Sequence, residues 1–67
     1  MENIEAGDFV LHQKQRHMNH GIAFVVLEIH EKAALCEYFD ADLVLTQSLF
    51  ALADLIPHRK IAYRNSD

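Results

Sequence analysis

Apolar and polar residues alternate with period two over two stretches of the chain, and that period predicts strands. Ile22 to His30 is the clearer: it is rich in β-branched and aromatic residues, with Val25, Leu27 and Ile29 alternating against Val26, Glu28 and His30. The polar His30-Glu31-Lys32 reads as a tight connection, and Ala33 to Phe39 as the returning strand. On that strand Leu35, Glu37 and Phe39 share one face while Ala34, Cys36 and Tyr38 share the other. The reading places Phe39 inside beside Leu35, and Tyr38 with Tyr63 at the surface, because a buried phenol needs a hydrogen-bond partner. Before this hairpin, Gly7-Asp8 signals a turn and Phe9-Val10-Leu11 a first short strand. Between them, the stretch from His12 to Gly21 is polar apart from Met18, holds no acid, and reads as a mobile loop.

Beyond Phe39 the pattern is ambiguous. Asp40-Ala41-Asp42 is a turn, since aspartate side chains bond locally to the backbone. Leu45, Leu49, Leu52 and Ile56 then fall at helical spacing with Asp42 as a candidate cap, so one reading is a helix over 42–56. The other is a strand from Leu43 to Phe50 followed by one helical turn at Ala51 to Leu55. Periodicity alone slightly favours the helix, and Pro57 stops either element. The tail 58–67 reads as a last edge strand or a frayed end.

The spacing from Cys36 onward resembles a known pattern. Cys36-Glu37-Tyr38-Phe39-Asp40, then Phe50 with Leu55-Ile56-Pro57 after it, and the opening Gly7-Asp8-Phe9-Val10, are similar to the motifs of the YodC-like family of small bacterial proteins. The resemblance covers roughly residues 7 to 57. It departs in two places: Gln13 to Gly21 replaces the family's shorter glycine-rich first loop, and Tyr38 stands where a tryptophan is usual. The resemblance implies an all-β fold, a small SH3-like barrel of four to five antiparallel strands with one helical turn before Pro57. It implies no chemistry. The alternative fold is α+β, a three-stranded sheet plus the helix 42–56.

Length and charge narrow the function more than they select it. Sixty-seven residues make one small domain, 1–67, and a chain this size buries only about 60% of its unfolded surface. Cys36 is the only cysteine, so no disulfide reinforces the core, and a lone thiol fits a reducing compartment. The first residues are acidic where a secretory signal is basic, and the apolar run Ile22 to Leu27 is too short to span a bilayer; the expected location is cytoplasmic, with no membrane partner. The net charge of −4 argues against a general nucleic-acid binder.

Three kinds of site can be placed. Both faces of the hairpin carry apolar residues, which suggests a wrapping barrel or a covering partner, so a homo-oligomer is expected, a dimer most of all. The bland alternative is a monomer whose apolar residues simply fill the barrel. The leading function is therefore a non-enzymatic binding or adaptor module acting through protein–protein contact, with Arg16, His17, Tyr38 and Tyr63 as the partner-binding residues. The alternative is a nucleic-acid-associated barrel using Lys14, Arg16, Arg59, Lys60 and Arg64, although the stretch lacks aromatics to stack bases. A third is a metal or small-molecule site at a subunit interface built from the His-x-x-His pair His17 and His20 with Cys36. No cofactor is expected. Catalysis has little footing, because a mid-strand thiol in apolar company has a raised pKa and the only glycines, Gly7 and Gly21, form no phosphate loop. The acids Glu28, Glu31, Glu37, Asp40 and Asp42 read as a solvated face.

Overall fold

A computed structural model describes residues 3–58. Five antiparallel strands form one sheet: β1 (Phe9–His12), β2 (Phe24–His30), β3 (Ala33–Phe39), β4 (Leu45–Ala51) and β5 (Leu55–Pro57), in the order β4-β3-β2-β1-β5. The only helical pieces among the described residues are two 3₁₀ turns, at Met18–Gly21 and Leu52–Asp54. The fold is thus all-β, as expected, with the single turn just ahead of β5. It is an open sheet and not a closed barrel: β4 and β5 are its two edges. No helix of the described residues is long and apolar enough to cross a membrane.

The helix over 42–56 does not form. Leu45–Ala51 pairs along its whole length with β3, from Phe39↔Leu45 to Ala33↔Ala51. Pairing with an existing strand satisfies the β3-facing half of the β4 backbone, and with the packing of Phe50 on the core it outweighs a weak helical period. The Asp40 turn launches it. The Asp40 carboxylate accepts the backbone N–H groups of Asp42 and Val44 at 2.8 and 2.9 Å, and Leu43 crosses the turn at φ +65°.

The core lies on one face of the sheet. Val10, Phe24, Val26, Ala34, Cys36 and Leu55 are buried there, with Ile4, Met18, Tyr38, Phe50 and Leu52 packed around them. This inverts the expected facing of β3: the Ala34-Cys36 side is inside, and Phe39 is 46% exposed on the other side. On β2 a bulge also breaks simple alternation. Val26 lies opposite Cys36, but the register shifts by one at Leu27, so that Glu28 faces Leu35 and Ile29 faces Ala34. The Gly7-Asp8 turn locks the sheet's start: Gly7 (φ +93°) donates to the Val26 carbonyl at 2.7 Å, and the Asp8 carboxylate accepts the Glu5 N–H at 2.9 Å.

Candidate functional site

The polar stretch expected to be mobile is tied down at both ends. His12 belongs to β1 and is buried, not a solvated loop histidine. Its Nδ1 accepts the N–H groups of Lys14 and Gln15 at 3.2 and 3.1 Å, which turns the chain out of the strand and leaves the ring proton on Nε2. The ring packs edge-on against Phe50, centroids 5.4 Å apart. Gln13 reaches the second 3₁₀ turn twice, its backbone N–H donating to the Asp54 carbonyl and its side-chain amide to the Ala53 carbonyl.

At the far end, Asn19 and His20 both adopt left-handed backbone, φ 52° and 59°. Such residues cost of order 1–3 kcal/mol each unless their surroundings hold them. Asn19 does the holding. Its Nδ2 donates to the Ile22 and Ala23 carbonyls, both at 3.1 Å, and its Oδ1 accepts the Phe39 N–H at 2.8 Å. His20 Nε2 donates to the Asp40 carbonyl at 3.0 Å. The loop is thereby stapled across the end of β3.

Between staple and sheet lies an open cleft of about 510 Å³. Met18, Tyr38, Phe39 and Phe50 give it apolar walls, and His17 and His20 line it with imidazole. Its walls Tyr38 and Phe50 pack on the buried Phe24 of the core: the three rings lie with centroids 5.9 to 6.0 Å apart, tilted against one another. The Tyr38 hydroxyl bonds Ser48 Oγ at 3.0 Å, so Tyr38 is half-buried with its phenol satisfied and not a free surface residue. The volume is in the range of small-ligand clefts, roughly 300–1,000 Å³, but the cleft is not enclosed.

Of the partner-binding residues proposed from sequence, His17 and Tyr38 meet in this cleft. Arg16 is exposed beside it, its Nε donating to the Gln13 carbonyl at 3.1 Å. Tyr63 lies outside the described residues, as do Arg59, Lys60 and Arg64 of the nucleic-acid set. Lys14, the remaining cation of that set besides Arg16, stands 3.4 Å from the Asp54 carboxylate. Sequence reading overlooked Asn19 and Phe39. An Asn ahead of His-Gly is the residue type that tolerates left-handed backbone, and that was the available signal.

The metal set does not assemble. Cys36 is fully buried in mid-strand, its Sγ 3.7 Å from the Ala34 carbonyl, and burial pushes the thiol up from 9.0 to about 11. Among the described residues no group of three or more His, Cys, Asp or Glu side chains is placed to hold a metal ion. Nor do the acids converge. Glu28 bonds His30 at 2.7 Å, Glu37 accepts from Gln47 at 3.3 Å, and the Asp40 carboxylate is engaged by its own turn. Comparison with family models, with curated proteins and with solved structures finds no match.

Proposed function

We propose that this protein is a non-enzymatic, self-associating binding module that takes an extended, largely apolar segment of a partner protein into the cleft between the Asn19 staple and β3. The carrying observation is the cleft itself: Met18, Tyr38, Phe39 and Phe50 present apolar surface beside the imidazoles of His17 and His20. Apolar walls supply the burial that drives peptide docking, and neighbouring ring nitrogens orient a peptide backbone through donor and acceptor contacts. Buried Cys36, with its raised pKa, is a poor nucleophile, which favours binding over catalysis. A nucleic-acid role draws less support, because Lys14 is partnered by Asp54 and the net charge is −4.

Titration of ¹⁵N-labelled protein with a panel of short peptides, extended and rich in apolar and aromatic residues, tests this reading. The expected result is saturable shift changes at residues 15–20 and 38–41 for a subset of peptides. Shifts confined to β1 and β5, or none for any peptide at millimolar concentration, would overturn it.

A further inference from the structure

The two edges of the sheet are built differently. In β5, the bonds from the Gln13 N–H to the Asp54 carbonyl and from the His58 N–H to the Phe9 carbonyl fix the ladder's phase. That phase points the backbone groups of Leu55 and Pro57 away from β1, where the Leu55 N–H is taken by the Leu52 carbonyl and Pro57 has no N–H to offer. So β5 is three residues long and its outward row ends in a residue without a donor, the usual protection of a free edge.

Among the described residues β4 carries no such protection. The Asp40 N–H donates to the Val44 carbonyl and the Leu52 N–H to the Lys32 carbonyl, so the even-numbered residues of this strand direct their backbone groups at β3. Leu45, Gln47, Leu49 and Ala51 therefore point theirs at the open edge: four N–H and four C=O groups in one row, the Ala51 carbonyl with one of its two lone pairs used by the 3₁₀ turn that follows. These four residues are also the exposed ones of the strand, with Leu45 at 55% and Leu49 at 61%. No residue from Leu43 to Ala53 is charged, and none is Gly or Pro. This is a long, uncharged edge of a kind that monomeric proteins avoid exposing.

We propose that β4 pairs antiparallel with β4 of a second copy of this chain about a two-fold axis through Ser48. Only residues with outward backbone groups can form the bonded pairs, which restricts the possible registers to alternate ones. The register centred on Ser48 sets Leu45 against Ala51 and Gln47 against Leu49 of the partner, twice over, and uses all the outward groups of both strands in eight hydrogen bonds. Registers centred on Gln47 or Leu49 leave some of them unpaired. The occupant is a second copy because the edge is self-complementary: two chains of net charge −4 meet along a stretch with no charge on it. On the outer face Leu45 and Leu49 come to lie beside Ala51 and Gln47 of the partner strand, covering exposed apolar surface. The resulting ten-stranded sheet ends at both sides in the protected β5, so association stops at the dimer.

This inference rests on the self-association in the functional reading and is independent of the cleft. Amide hydrogen exchange on the native protein, with solution mass by light scattering, tests it. Expected are a mass twice that of one chain, and slow exchange of the Leu45, Gln47, Leu49 and Ala51 amides as well as those of Thr46, Ser48 and Phe50. Gln47→Pro removes an N–H that β3 does not use; it should give a folded monomer in which the remaining odd-numbered amides exchange about tenfold faster or more. Leu49→Lys, which leaves every amide in place, should weaken the dimer in the same direction should the proline variant not fold. A dimer with rapidly exchanging odd-numbered amides would overturn the edge pairing while leaving self-association standing. A monomer at all concentrations overturns both, and leaves the cleft reading untouched.

Discussion

The Cys36 thiol shows how a single buried atom couples the fold to pH. Its side chain has no exposed surface, and the thiolate it would become has no cation beside it, so burial raises its pKa from 9.0 to about 11. The neutral thiol is the form the folded chain favours. Its contribution is therefore whole below pH 9 and is lost as pH rises through 11, at about 1.4 kcal/mol per unit of pKa shift. The unfolding free energy from urea titrations should fall between pH 8 and pH 11 by an amount that Cys36→Ala diminishes by about 2 kcal/mol, at the cost of about 1 kcal/mol of stability at neutral pH for the small cavity. An equal pH slope in both proteins would assign the alkaline loss to other groups. His12 makes a different point at the same scale. A histidine read as part of a solvated basic patch is instead a buried acceptor for two backbone N–H groups, because the strand runs one residue further than its apolar run suggests.

Turns and strands, one level up, are legible where local chemistry and tertiary demand agree. Gly7-Asp8 and Asp40 behave as their residue types predict, and β3 spans Ala33–Phe39 as its alternation does. β4 was the ambiguous element, since leucines at helical spacing occupy a strand whose odd-numbered positions simply face outward. Its inward row is Thr46, Ser48 and Phe50, and the polar Ser48 is accommodated there by the Tyr38 hydroxyl. The Asp40 turn is the weak joint in front of it, because Leu43 is held at φ +65° with its side chain 68% exposed. Left-handed backbone costs a residue with a Cβ roughly 1 kcal/mol or more, so Leu43→Gly should raise the thermal midpoint by a few degrees. Asp40→Ala, which removes the acceptor of two backbone N–H groups, should lower stability by about 1.5–3 kcal/mol. A neutral Asp40→Ala in chemical denaturation would mean that β4 forms without its turn.

For the whole molecule, size sets the terms. A 67-residue chain with one thiol and no disulfide has, among its described residues, a core of six buried apolar side chains, so pairing between copies is a natural source of added stability. If β4 joins two copies, the midpoint of thermal unfolding should climb with protein concentration, because association favours the folded state by mass action. A midpoint constant over a hundredfold range of concentration would count against a dimer coupled to folding. Period-two patterning and turn chemistry, both local, were enough to establish strands β1 to β3 and the turn between β2 and β3, whereas periodicity favoured a helix over 42–56 and the all-β class followed only from the resemblance. The cleft was half visible: His17 and Tyr38 stood out as polar and aromatic residues, but nothing in their positions announced that they meet. That meeting depends on Asn19 bridging residues twenty apart to β3, and which residues of β2 face inward beyond Val26 depends on the bulge at Leu27. Facing, closure and edges are decided by which strands pair and in what register, and pairing is a property of two segments at once. Only the tertiary structure could therefore turn Phe39 outward, bury His12, hold the sheet open and leave β4, among the described residues, without a neighbour along one side.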